Sequence, residues 1–156
     1  MFWTRVDNRL VHGQIIETWL PFTRATCLVV ANDELSQDVL KQEIMSLAIP
    51  QDVNVSFISV ESLSEKYKCR GVPFARSNML VLFSNCRDAV RAFEQGFVFV
   101  SLNIGNLHYS PGKKQIAPNV ALSRDDEDCL RYFDDRGVEL DFRCIPTERV
   151  QVKQVW

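Results

Sequence analysis

Histidine is scarce in this 156-residue chain: there are two, His12 and His108, and neither has a cysteine at the spacing of a metal site. No metal centre is therefore expected. The five cysteines (Cys27, Cys69, Cys86, Cys129 and Cys144) are odd in number and contain no Cys-x-x-Cys pair, so reduced, mostly buried thiols of a cytoplasmic protein are expected in place of a disulfide framework. Positive charge is not in excess either, with 18 Lys+Arg against 20 Asp+Glu and a net charge of -2. That balance excludes the basic face on which nucleic-acid binders neutralise phosphates. Long apolar runs are missing too: the longest, such as Met79–Phe83, stop at five residues, where a bilayer span needs about 20. Direct membrane insertion is not expected, nor is a secretory leader, because Met-Phe-Trp-Thr-Arg opens the chain without a long apolar segment or a cleavage pattern.

What is present is an ordinary globular composition, 46% hydrophobic and 24% charged, in a length that suits one full hydrophobic core. One domain over residues 1–156 is expected, with no internal repeat, low-complexity tract or linker. Short β-rich runs alternate with helical-period segments, the pattern of an α/β fold. The expectation is an open, mainly parallel β-sheet with helices on both faces and an antiparallel edge strand.

The spacing predicts strands at 2–6, 26–31, 53–57, 79–83 and 97–102, with an edge strand carrying Val138, Leu140 and Phe142. Between them it predicts a first helix with an Ile15, Ile16, Trp19 and Leu20 stripe ended by Pro21. A second helix, capped by Asn32 or Asp33, carries Leu35, Val39, Leu40, Ile44, Leu47 and Ala48 up to Pro50. Further helices are expected at 59–68, after the Asn85 cap and as far as Gly96, and after the capping box at 123–126. The segment 103–119, with Gly105, Pro111, Gly112 and Pro118, is expected to be irregular or a hairpin.

The ten residues Arg5-Val-Asp-Asn-Arg-Leu-Val-His-Gly-Gln14 gather the chemistry. They lie between the first strand and the first helix, where ligands of open α/β sheets bind. A helix start directs free amides at an anion. Arg9 offers a bidentate partner for phosphate oxygens, and Gly13 lets backbone approach closely. Asp7 accepting from one ring nitrogen of His12 would leave the other unprotonated and nucleophilic. Arg5 reads as an exposed charge at the strand end, and Asp33 as a helix cap. Read blind, a single loop histidine also fits a surface or structural role.

This stretch closely resembles the phosphorylation-site signature of the IIB component of the mannose/fructose/sorbose-type sugar phosphotransferase system (PTS). The resemblance extends along the chain through Trp19, Asp33-Glu34, Ser84-Asn85, Asn103-Ile-Gly105, Gly112-Lys-Lys-Gln115 and Arg136-Gly-Val-Glu-Leu140. It implies a phosphocarrier that is itself a protein-phosphohistidine-sugar phosphotransferase. Its His12 takes a phosphoryl group on Nδ1 from a IIA phosphohistidine and passes it to a sugar moved by the membrane components IIC and IID. Arg9 would hold the phosphate, with Gly13, Asp7, Gln14, Ser84 and Asn85 around it. The loop of Gly105, His108 and Lys114 would face partner or substrate.

No cofactor is implied. The implied location is cytoplasmic, peripheral at the inner membrane through IIC and IID, with the donor on a separate chain. A regulatory phosphocarrier, whose His12 controls a signalling partner without sugar transport, is the second reading, and an α/β module that merely holds an anion is a third. Asn106 and His108 stand where many relatives have glycine and a non-titrating residue. Asn85 reads equally as a helix cap, Gly105 as a turn and His108 as a solvated loop residue.

Overall fold

In the computed structural model, residues 2–67, 78–150, 152 and 156 are described. The strands are β1 (Phe2–Asp7), β2 (Cys27–Ala31), β3 (Asn54–Ile58), β4 (Met79–Phe83), β5 (Ser101–Asn106), β6 (Lys114–Ala117), β7 (Val120–Leu122) and β8 (Glu139–Asp141). The helices are α1 (Leu20–Thr23), α2 (Val39–Ser46), α3 (Val60–Lys66), α4 (Cys86–Glu94) and α5 (Arg124–Asp134). Six strands form one sheet in the order β3-β2-β4-β1-β5-β8, and β6 and β7 form a separate pair.

Side chains alternate across a strand, and here both faces are covered. Leu28, Val30, Leu80 and Leu82 pack with Ile15, Trp19 and Leu20 on one side. On the other, Val29, Val81, Phe83 and Ile104 pack with Ala89, Ala92, Leu130 and Phe133 of α4 and α5. Buried apolar runs on both faces are why the central strands lack polar alternation.

Every pair in the six-stranded sheet is parallel, so the expected antiparallel edge strand is not there. The edge strand β8 exists, but α5 carries the chain back along the sheet before it, and β8 therefore enters parallel to β5. The antiparallel pairing belongs to the β6–β7 hairpin; of the segment 103–119, residues 103–106 continue β5 and 114–117 form β6, which pairs with β7 just beyond it. The fifth strand also starts later than expected. Phe97 closes the end of α4 by donating its amide to Ala92, after Gly96 at φ 100°. The Phe97 and Phe99 rings then fill the core, and pairing begins at Ser101.

Pro21 does not end the first helix. Ile15–Trp19 is a π-helical turn in which Leu20 N–H reaches back to Ile15, and Pro21 sits in the first turn of α1, where its missing N–H does no harm. The helix stops at Arg24, which is left-handed at φ 50°. The second predicted helix is broken at Asp38, which caps α2 through the Lys41 amide.

In consequence Val39, Leu40, Ile44 and Leu47 are exposed and do not face the core. Leu47, 87% exposed at the end of α2, gives a direct check: Leu47→Lys should change stability by less than about 0.5 kcal/mol in a urea titration, against the several kcal/mol of a buried leucine. The helix predicted at 59–68 is α3, with Ser59 as its cap; position 68 lies outside the described residues.

Candidate functional site

Parallel register aligns the strand ends. Val6 and Ala31 both pair with Phe83, and Ala31 pairs with Ile58. Asp7, Asn32, Ser59 and Ser84 consequently lie along one carboxyl edge. The chain leaves β1 toward the face covered by α1, whereas it leaves β5 toward the face covered by α5, and the crevice between such diverging connections is where open α/β sheets bind ligands.

Period-two geometry places Trp3, Arg5 and Asp7 of β1 on the α1 face. Arg5 is completely buried, which corrects its reading as an exposed strand-end charge. Its Nη2 and Nε donate to Asp7 Oδ2 at 2.8 and 3.2 Å. Nη1 donates to the Asn103 side chain and, at 3.3 Å, to the Arg143 carbonyl. The guanidinium lies 4.7 Å from the centre of the Trp19 ring. Burial pulls the Arg5 pKa below its ordinary value, and Asp7 opposes that shift.

Space for this group comes from Gly105. A Cβ built there would lie 1.8 Å from Arg5 Cζ. Gly105 is not in a strand-end loop or a turn, as its position suggested, but inside β5. It lies at a bulge where Val6 pairs with Ile104 and Asp7 with Asn106.

Asp7, equally buried, organises the loop in front of it. Its Oδ1 accepts the Arg9 amide at 3.1 Å, its carbonyl accepts the Leu10 amide at 3.0 Å, and Leu10 takes the left-handed φ of 53°. That conformation is unfavourable for leucine, but it puts the side chain into the core beside Val11 and Ile15.

His12 then stands with Nε2 3.0 Å from Asp7 Oδ2. Since Asp7 is a carboxylate and accepts only, Nε2 carries the proton and donates. Nδ1 is buried and has no hydrogen-bond partner. Burial alone would raise the Asp7 pKa, but the His12 hydrogen bond and the Arg5 guanidinium together hold it below the usual carboxylate value. The result is an imidazole held by one nitrogen with a lone pair on the other.

The helix that follows begins at His12, whose carbonyl accepts the Ile16 amide at 3.1 Å. Amides of its first turn have no carbonyl behind them within the helix. Gly13 is exposed, and a Cβ there would meet Glu17 Oε1 at 4.0 Å, an ordinary contact. Gln14 is tied to neighbouring segments: its amide oxygen accepts from Asn106 at 3.3 Å, and its nitrogen lies 3.2 Å from Cys144 Sγ. Arg9 is exposed and makes no ion pair among the described residues.

Other expected residues divide clearly. Asn85 caps α4 by accepting the Asp88 amide at 2.8 Å, and Ser84 accepts from Asn32 and Asn85, so both tie neighbouring strand ends together without touching His12. Of the two residues expected to cap the helix after β2, Asn32 accepts the Leu35 amide at 2.8 Å, whereas Asp33 supplements the Ser59 cap of α3 by accepting the Val60 amide at 2.9 Å. His108, in the connection between β5 and β6, and Lys114 on β6 are exposed, and the ring's hydrogen bond goes to Asp7 and to neither of them, while Lys113 pairs with Asp126 at 3.3 Å.

Sequence reasoning left Asn106 and Cys144 out of the site, and it weighed Arg5 too lightly. For Arg5 the sequence showed only that it shares one strand face with Asp7, two residues on.

Cys27, Cys86, Cys129 and Cys144 are free thiols; Cys69 lies outside the described residues. Burial raises the Cys86 pKa well above its ordinary value and, with Asp126, pushes Cys129 up to about 11. Among the described residues no three His, Cys, Asp or Glu groups could hold a metal ion.

Fold and site together define an open parallel α/β protein with one oriented histidine at the carboxyl edge of its first strand. The family model described as the PTS system sorbose subfamily IIB component matches residues 1–155, and the chain belongs to that family. It is 30% identical over 144 residues to the PTS system sorbose-specific EIIB component of Klebsiella pneumoniae, covering 92% of this chain and 87% of that protein. The PTS system mannose-specific EIIAB component of Escherichia coli K12 is 27% identical, over 92% of this chain and 44% of that protein. Among solved structures, the IIBSor domain of the sorbose permease from Klebsiella pneumoniae superposes with a TM-score of 0.86 at 28% identity, covering 99% of this chain and 93% of the other. Among the described residues, no helix is long and apolar enough to cross a membrane.

Proposed function

We propose that this chain is a phosphocarrier in which His12 Nδ1 accepts a phosphoryl group from a phosphohistidine of a IIA protein or domain. It then passes the group to a sugar taken up through IIC and IID membrane components. The observation that carries this reading is the His12 ring itself, with Nε2 bonded to Asp7 and Nδ1 left as an unpartnered lone pair. Membership of the IIB family supports it. The match to an EIIAB protein is the reason for naming IIA as donor.

In the first step the P–N bond of the donor breaks as the P–Nδ1 bond forms. The proton stays on Nε2, and Asp7 stabilises the positive charge that the ring acquires. In the second step a sugar hydroxyl oxygen takes the phosphorus, its proton is released, and Nδ1 recovers its lone pair.

Exchange between two imidazoles is nearly balanced, so the protein's task is positioning and charge stabilisation. Arg9 and the first amides of the helix are suited to the equatorial oxygens of a loose transition state. Nδ1 is buried in the resting conformation, so the loop around it must shift as the donor docks. The protein works at the cytoplasmic side of the membrane, beside IIC and IID. Relatives named for sorbose and for mannose share this chain's length of match, and we assign the choice of sugar to the membrane components.

Incubation with a phosphorylated IIA protein, followed by mass spectrometry and an acid-stability assay, tests the proposal. One acid-labile, alkali-stable phosphate is expected, lost in His12→Ala and kept in His108→Ala. Normal labelling of His12→Ala would overturn it. Arg9→Ala, with an exposed side chain, should keep its melting point and transfer more slowly; an unchanged rate would remove Arg9 from the mechanism.

A further inference from the structure

We infer that Arg5 is a positioning residue for this histidine: by neutralising Asp7 from behind, its buried guanidinium lets Asp7 hold the His12 ring without drawing a second proton onto it. The inference rests on the phosphocarrier reading for its purpose, but its geometry stands apart from it.

A single oxygen, Asp7 Oδ2, receives Arg5 Nε, Arg5 Nη2 and His12 Nε2 at 3.2, 2.8 and 3.0 Å. A carboxylate buried beside an imidazole with no other cation would be balanced most readily by protonating the imidazole. Both ring nitrogens would then carry protons, and the lone pair on Nδ1 would be gone. Arg5 removes that demand, because arginine stays charged when buried.

Its place is not left to the ion pair alone. Asn103 and the Arg143 carbonyl accept from Nη1, Trp19 covers one face, and Gly105 supplies the room that any side chain would fill. The remaining charged groups around it are accounted for. Asp141 of β8 is bound to Arg143 at 2.9 Å, and the Cys144 thiol lies beside Gln14. Asp7 is therefore the carboxylate that Arg5 serves.

The test reads the ring directly. In ¹⁵N-labelled protein without any phosphoryl donor, at about pH 7.5, long-range nitrogen–proton correlation should show His12 with Nε2 protonated and Nδ1 bare. In Arg5→Met both nitrogens should carry protons, and Arg5→Lys, which keeps a charge beside Asp7, should return the ring to one proton. Should Arg5→Met fail to fold, Asn103→Asp provides the same measurement, because it offers Arg5 a competing carboxylate and should likewise place a second proton on the ring.

A ring that keeps a bare Nδ1 in Arg5→Met, or in Asn103→Asp where Arg5→Met does not fold, overturns the inference. So does a wild-type ring with both nitrogens protonated. Failure of the phosphocarrier reading would look different: the ring would respond to Arg5 as described, yet His12 would never become labelled.

Discussion

Asp7→Asn is expected to destabilise the protein by about 3–5 kcal/mol and to abolish phosphoryl acceptance. The stability loss follows from what remains behind. Both partners of the Arg5–Asp7 pair are fully buried, and removing one charge of such a pair leaves the other uncompensated in a low-dielectric interior. An asparagine oxygen can still accept hydrogen bonds but cannot balance the guanidinium. The loop would suffer as well, since Asp7 holds the Arg9 amide and the His12 ring.

Urea midpoints of the two proteins measure the effect, and its pH dependence has a definite sign. The Asp7 pKa lies below its ordinary value in the folded state. Its contribution is therefore fully present above the unfolded-state pKa of about 3.9 and is lost as pH falls through the lower folded value. The gap between wild type and Asp7→Asn should be constant near neutrality and shrink below about pH 4. A gap that widened there would contradict the assignment.

Gly105→Ala is expected to cost about 3 kcal/mol, a large effect for adding one methyl group. The added carbon would sit 1.8 Å from Arg5 Cζ and 2.0 Å from both Nη atoms, far inside contact distance. Usually the end of a long side chain can swing away from such an overlap. Here it cannot do so cheaply, because Asp7, Asn103 and Trp19 hold the guanidinium on its other sides.

Gly137 makes a control with a different cause. It has φ +72°, and a Cβ added there would meet nothing within 4 Å, so Gly137→Ala should cost about 1–2 kcal/mol through backbone strain alone. The melting points should separate the two variants. Only Gly105→Ala should also disturb the His12 ring resonances, because only there is Arg5 displaced from Asp7.

Much of the fold was legible without coordinates. Continuous apolar runs marked β2 and β4, since strands covered on both faces have no reason to alternate, and the Ser123 capping box marked the start of α5 to the residue. Helix boundaries failed where local signals compete with tertiary ones. Pro21 reads as a stop, yet a π-helical turn ahead of it puts the proline where no amide is needed. The leucine and isoleucine stripe after β2 reads as a core face, yet Asp38 restarts the helix and leaves Val39, Leu40, Ile44 and Leu47 exposed. Strand direction at β8 was beyond the pattern, because alternation along a strand is the same whichever way it enters a sheet.

For the site, the sequence by itself determined that His12 lies between a strand and a helix, with Asp7 and Arg9 close by in the chain. Those relations are local, set by a few backbone torsions, and they survive in the structure. Tertiary structure alone decided the roles of Arg5 and Gly105, which are separated by 100 positions. Neither residue explains itself. A charge at a strand end is ordinarily solvated, and a glycine after a strand ordinarily turns the chain. Only when β5 bulges beside β1, and the segment after β8 closes over Arg5 through the Arg143 carbonyl, does the glycine become a recess and the arginine its occupant. The physical reason is that burying a charge depends on what surrounds it in three dimensions, and those surroundings come from distant parts of the chain.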